Sequence, residues 1–401
     1  MASTVLPRAA PGAPSTPATS LGGRLRRVSS LLAPALVYLT IRQVSLLVLA
    51  WMSAATGAGT RSALTSWDGS WFLGLAAGGY AGVPAGLTDA FGSRTAYTPL
   101  AFFPGYPALV AAVSWLPGVG VLAAAFAVTT GAGVAAAYGL VRLAELVPRG
   151  SRKAGLVLVA LFAASPISIV LSMTYSEALF CALAVWCLVG LLHRQWLFAG
   201  ACCAVAGLVR PTAAALVAAV LAAAVVAVVQ DRDGWRPWAA ALLAPSGLAG
   251  YFAFVAAHTG RWNGWFVLQE QGWDSRFDGG SATLRFAVEV LTTAPSLLEV
   301  TTIWLLGGAV LLLVLCILAW RRSSAWPLLV YAAMVLAMDL GSNGLMNSKA
   351  RLLLPAFVLL VPVAIGLASR RTATAVLTLV ALTAFGAWFG SYALTLWPYA
   401  I

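Results

Sequence analysis

Apolar residues run through this 401-residue chain in long blocks separated by short polar gaps. The blocks fall at about 28–52, 119–147, 154–173, 176–193, 196–209, 212–230, 238–258, 298–320, 326–341, 352–369 and 373–397. Many approach the ~20 residues a helix needs to cross the hydrocarbon of a bilayer. The pattern predicts an all-α polytopic integral membrane protein with about eleven transmembrane helices. A further stretch, about 99–116, is apolar but carries Pro99, Pro104 and Pro107 within its first nine residues, a poor start for a spanning helix. Counting it as a span would also put Arg149, Arg152 and Lys153 outside, so it is read as a juxtamembrane or re-entrant helix. Residues 283–294, with Glu289 inside and Glu299 just beyond, read as interfacial.

The polar gaps define the organisation. Residues 1–27 are rich in Pro, Ala, Ser and Thr and end in Arg24, Arg26 and Arg27, which predicts a disordered cytoplasmic tail anchored at the first span. Residues 28–401 form one transmembrane domain with two long external segments, 53–118 (including the juxtamembrane helix) and 259–297. With the N-terminus inside, 15 of the 24 basic residues lie inside, whereas nine of the twelve acidic residues lie outside. Acidic residues contribute little to insertion, so their outward bias places the chemistry on the extracytoplasmic face.

Composition narrows the class. A chain that is 61% hydrophobic and 9% charged, with a net charge of +12, spends its few cations on the membrane surface, which argues against nucleic-acid binding. Cys181, Cys187, Cys202, Cys203 and Cys316 sit in apolar runs without C-x-x-C spacing. His193 and His258 fall at opposite boundaries, so no histidine metal centre is expected, and no nucleotide-binding loop is present. No cofactor or metal is required; an external reaction must draw on an already activated donor. Two lysines, 22 arginines and heavy alanine use suggest a high-GC bacterial genome.

The candidate chemistry centres on Trp67-Asp68-Gly69-Ser70-Trp71-Phe72 in the first external segment. Asp68 reads either as the N-cap of an interfacial helix or as a general base taking a proton from an acceptor hydroxyl. Glu177, after Tyr175-Ser176, reads either as an ordinary helix start or as a polar contact in a cavity below Asp68. Arg210, Lys349 and Arg351 are cations at the outer boundary, against the charge trend; they read as snorkelling side chains or as ligands of a phosphate leaving group. The segment 259–282, with Trp262, Trp265, Trp273 and mixed charges, suits a sugar-stacking lid or an interfacial cap. Arg42, inside the first span, needs a partner, for which Asp339 is one candidate.

Trp67-Asp68, Gly79-Tyr80, Phe102-Phe103-Pro104-Gly105-Tyr106-Pro107, Ser165-Pro166-Ile167-Ser168 and Tyr175-Ser176-Glu177-Ala178-Leu179-Phe180 occur in an order that resembles the PIG-V mannosyltransferase family of the GT-C superfamily of polytopic glycosyltransferases. Gly207-Leu208-Val209-Arg210-Pro211 continues the resemblance more weakly, and Pro211-Thr212 departs from the eukaryotic pattern. The resemblance implies a GT-C-like first external loop and inverting transfer of a hexose, mannose in that family's usual case, from a polyprenyl-phosphate-sugar to an acceptor glycolipid, glycan or protein. It also implies that Trp67 and Asp68 are essential. The competing class is a transporter or lipid flippase, which predicts internal repeats and midplane polar residues; no clear repeat is found.

Overall fold

A computed structural model describes residues 21–293 and 296–400, with side chains from residue 28. It divides into a short unit, residues 1–33, and a main unit, residues 34–401. In the short unit the described residues are the first turns of a helix that starts at Leu21, so residues 21–27 of the expected tail have helical backbone, and residues 1–20 lie outside the described set.

The described residues are α-helical and 3₁₀-helical, with one isolated bridge, Phe277 to Ser342. The N-terminal half holds α1 (Leu21–Thr56), α2 (Thr60–Thr65), α3 (Asp68–Gly78), α4 (Gly105–Ser114), α5 (Val121–Leu146), α6 (Arg152–Ala163), α7 (Glu177–Leu192), α8 (Trp196–Gly207) and α9 (Ala213–Val229). The C-terminal half holds α10 (Arg236–Leu243), α11 (Ser246–Thr259), α12 (Gly264–Trp273), α13 (Ser281–Thr293), α14 (Leu297–Trp320), α15 (Trp326–Gly341), α16 (Lys349–Leu352), α17 (Val361–Ala368) and α18 (Thr372–Thr395). Each of the eleven apolar blocks coincides with a helix or a consecutive helix pair.

Among the described residues, five continuous segments are long and apolar enough to cross a bilayer alone: Val28–Thr56, Val121–Leu146, Arg236–Thr259, Leu297–Trp320 and Thr372–Thr395. A sixth, Met346–Leu352 with Leu354–Ala368, is bent by 54°. The other blocks give shorter apolar helices of 10–17 residues, such as α7, α8, α9 and α15. These shorter helices pack at the centre, where Ala184, Ala199, Ala215, Ala219 and Ala332 are fully buried and let backbones approach closely. The outer helices expose apolar side chains, including Trp304, Leu311 and Leu318 of α14, as a lipid-facing surface requires. The chain is an all-α integral membrane protein.

One expectation changes. Arg42 does not meet Asp339; it is buried and donates to the Ala163 carbonyl (2.7 Å), Ser168 Oγ (2.8 Å) and Ser172 Oγ (3.0 Å). It ties α1 to the segment where α6 ends, satisfying a carbonyl left free by the break after Ala163. The segment 259–282 carries the helix α12, pinned by Trp265 Nε1 and Gln269 Nε2, both donating to the Ala101 carbonyl (3.2 and 3.1 Å).

Candidate active site

Asp68 is the first residue of α3, and its predecessor Trp67 has φ +49°, a conformation costing a residue with a Cβ of order 1–3 kcal/mol. Trp67 occupies the N-cap position, so Asp68 is not the cap. Gly69 permits this turn to press against the side chains of Thr174 and Tyr175, since a Cβ there would lie 2.6 Å from Thr174 Oγ1.

The partner of Asp68 comes from 283 residues further on. Arg351 Nη1 donates to Asp68 Oδ2 at 2.8 Å. Its Nε lies 3.5 Å from Glu177 Oε1, and Glu177 Oε1 lies 2.7 Å from Arg210 Nη1. Asp68, Arg351, Glu177 and Arg210 thus form a chain of alternating charge. The Glu177 side chain is 1% exposed, Arg351 11% and Arg210 12%, so the pairs act in a medium where Coulomb energies exceed those at a surface.

Local structure positions each member. Glu177 begins α7, where the helix N-terminus favours negative charge. Arg210 follows the last turn of α8 and also donates to Ser176 Oγ (3.2 Å). Its loop is fixed by Gly105, whose N–H donates to the Leu208 carbonyl at 2.7 Å; a Cβ on Gly105 would stand 2.8 Å from that oxygen. The Arg351 guanidinium sits 5.2 Å from the centre of the Tyr175 ring. Burial, and then the charge of Asp68, push the Tyr175 hydroxyl well above its ordinary pKa, so it stays neutral and donates to the Ser66 carbonyl (3.3 Å).

The cluster opens on a cavity of about 470 Å³. Asp68, Arg210, Arg351, Lys349 and Asp339 line its polar wall, and Phe72, Phe102, Trp265, Trp273 and Phe277 its aromatic one. Phe102 stacks on Trp71 (4.9 Å between centroids) and meets Trp273 edge-on (5.6 Å), which joins the Phe-Phe-Pro-Gly motif to α12. The external loop is held by Arg94, which donates to the carbonyls of Val83, Pro84 and Leu87 and lies over Trp71.

Of the site residues expected from sequence, Asp68, Tyr175, Glu177, Arg210 and Arg351 meet in one cluster. Lys349 lines the same cavity but sends its ammonium to the carbonyls of Asp339 and Ser342. Trp67 shapes the backbone before Asp68 and is not among the lining residues. Sequence reasoning passed over Asp339 as a site residue; its charge inside an apolar span was the available signal. Among the described residues, no three His, Cys, Asp or Glu side chains are grouped to hold a metal ion.

No protein-family profile and no curated protein sequence matches the chain. Among solved structures it resembles ArnT from Cupriavidus metallidurans bound to undecaprenyl phosphate, with a TM-score of 0.52 at 14% identity over 86% of this chain and 62% of that one. The Archaeoglobus fulgidus oligosaccharyltransferase is also similar, with TM-scores of 0.47 in the apo form and 0.48 in complex with Zn and sulfate. Those two matches have 13% and 15% identity, over 89% and 88% of this chain and 55% and 53% of those. The chain therefore spans about 62% of the length of ArnT. The ArnT likeness shows that this chain shares the fold of the part of ArnT that it matches.

Proposed function

We propose that the protein is an inverting glycosyltransferase that moves a hexose, mannose first among candidates, from a polyprenyl-phosphate-sugar to an acceptor hydroxyl. The observation that carries this reading is a carboxylate, Asp68, held by Arg351 at the wall of a cavity that also offers Arg210. The fold shared with ArnT supports the class, and the undecaprenyl phosphate bound by ArnT supports a polyprenyl-linked donor. Mannose rests on the PIG-V-like order of motifs from Trp67-Asp68 to Tyr175-Ser176-Glu177. The positive-inside distribution supports a plasma-membrane protein, bacterial by composition, with its N-terminus cytoplasmic and its cavity extracytoplasmic.

In this mechanism the acceptor oxygen attacks the anomeric carbon on the side opposite the lipid phosphate. The new carbon–oxygen bond forms as the carbon–phosphate-oxygen bond breaks, and the acceptor proton passes to Asp68. A carboxylate paired with arginine is a weak base; it suffices because the proton moves late, after the sugar has gained oxocarbenium character. The charges then rearrange together. The phosphate goes from one negative charge to two as Asp68 loses its own, so Arg351, no longer neutralised by Asp68, turns its field on the leaving group alongside Arg210. Tyr175 stays neutral beneath Arg351 and orients it.

The test is transfer by purified protein in lipid, given radiolabelled polyprenyl-phosphate-mannose and a membrane lipid extract. Label reaches a new product with wild type, and Asp68→Asn lowers the rate by about 10²–10⁴, the usual contribution of a general base, while donor binding persists. Turnover of Asp68→Asn within tenfold of wild type would refute the assignment.

A further inference from the structure

The cavity has a second polar pole. Asp339 lies in the last turn of α15, is 4% exposed and lines the cavity wall, yet neither of its carboxylate oxygens has a hydrogen-bond partner among the described residues. Lys349 is close enough to act on it electrostatically but does not satisfy it. The Lys349 ammonium donates instead to the main-chain carbonyls of Asp339 and Ser342, closing the C-terminal end of α15. A buried carboxylate without donors is costly, and at a cavity wall the missing donors are those a ligand brings.

The ligand chemistry follows from what surrounds it. A carboxylate only accepts, so its partners are O–H or N–H groups, and two free oxygens side by side match two adjacent hydroxyls. The aromatic side chains that line the same cavity suit the apolar face of a pyranose. The position fits as well. Lys349 and Arg351 are two residues apart on α16, with Cα atoms ~5 Å apart by helix geometry, and point to different sides of it. One reaches the Asp339 pole and the other the Asp68 pole, so a sugar whose anomeric carbon sits at Asp68 has its distal hydroxyls toward Asp339.

We propose that Asp339 is the sugar-recognition residue of this cavity, each of its carboxylate oxygens accepting from one of two adjacent hydroxyls of the transferred hexose. The inference rests on the glycosyltransferase reading. It makes Asp339 a specificity residue with no part in proton transfer, and Lys349 its electrostatic companion in place of a phosphate ligand.

The experiment measures binding, independently of turnover. Full-length protein in nanodiscs is titrated with polyprenyl-phosphate-mannose and with polyprenyl phosphate lacking the sugar, and the ratio of the two affinities is the sugar's contribution. Asp339→Asn should lower that ratio about tenfold and leave the affinity for the sugarless lipid unchanged, since one charged hydrogen bond is worth roughly that much. A series of monodeoxy-mannose donors should show losses at two adjacent positions with wild type, and Asp339→Asn, which keeps one acceptor oxygen, should flatten one of them.

An unchanged ratio and deoxy profile in Asp339→Asn would overturn the inference. So would a wild-type deoxy series without two adjacent dominant positions, a result that needs no variant to fold. A wild type that transfers the sugar but binds both lipids equally would remove Asp339 and leave the glycosyltransferase reading standing. A wild type that binds the sugar through Asp339 but never transfers it would do the reverse.

Discussion

Glu177 sits between two arginines with almost no solvent contact, and its replacement is the most telling test of the cluster. In the native site two carboxylates, Asp68 and Glu177, face two guanidiniums, Arg210 and Arg351, so the group is formally neutral. Glu177→Gln keeps the shape but leaves the group at +1, with Arg210 deprived of its ion pair 2.7 Å away. Removing one partner of a buried pair costs about 3–5 kcal/mol, far more than the loss of a surface pair. The double variant Glu177→Gln with Arg210→Gln returns the group to zero and permits an amide–amide hydrogen bond. It should therefore be more stable than Glu177→Gln alone, with a coupling of about 1–3 kcal/mol. The assay is reversible denaturant unfolding in mixed micelles, followed by tryptophan fluorescence, for wild type, both single variants and the double. Effects of the two substitutions that add within about 0.5 kcal/mol would refute the claim that these charges form one buried network.

Other expectations can be checked alongside. Gly105→Ala should lower transfer without abolishing expression, because its methyl group would force the Leu208 carbonyl, 2.8 Å away, to move and carry Arg210 with it. Arg42→Met should cost stability by removing the donor to the Ser168 and Ser172 hydroxyls and leaving the Ala163 carbonyl with the Ser168 hydroxyl alone, while affinity for the polyprenyl donor stays at the wild-type value. Asp278 is held below the usual carboxylate pKa, first by the Ser281 hydroxyl; desolvation opposes this, and the N–H groups of Ala282 and Gly280 with the charge of Arg285 reinforce it. Its contribution is thus complete above the ordinary carboxylate pKa and lost as pH falls through the lowered value. Limited proteolysis between 274 and 293 should accelerate in that acid range for wild type, and Asp278→Asn should show no such acid step.

How much was readable in the sequence depended on the range of the interaction. The helices follow from local apolar periodicity, and the prolines at 99, 104 and 107 marked the short helix α4 because proline acts through its own backbone. Asp68 stood out for a local reason too, a charge between two tryptophans. Its partner did not: a contact between residues 68 and 351 leaves no trace in spacing, and Arg351 was one of several outer-boundary cations until the fold brought it to Asp68. Lys349 shows the same limit from the other side. Its position suggested a phosphate ligand; that its ammonium also caps carbonyls at the end of α15 is a tertiary contact that spacing does not reveal. Arg42 and Asp339 were both correctly suspect as charges in apolar spans, yet each belongs to a different environment, a difference of depth and rotation that hydropathy does not encode.

The order in which the cluster's members occur along the chain has a consequence for biosynthesis. Glu177 begins α7 and Arg210, 33 residues later, follows the last turn of α8, so they can pair as soon as α7 and α8 have been inserted. Asp68, made earlier than either, has no cation until residue 351 has been translated and the bent segment that carries it has docked. A nascent chain therefore holds Asp68 without its arginine, and the cavity without the wall that residues 335–352 supply, through most of elongation. The last member of the cluster to arrive both neutralises Asp68 and completes that wall, so the cavity takes its final form only once the bent segment is in place.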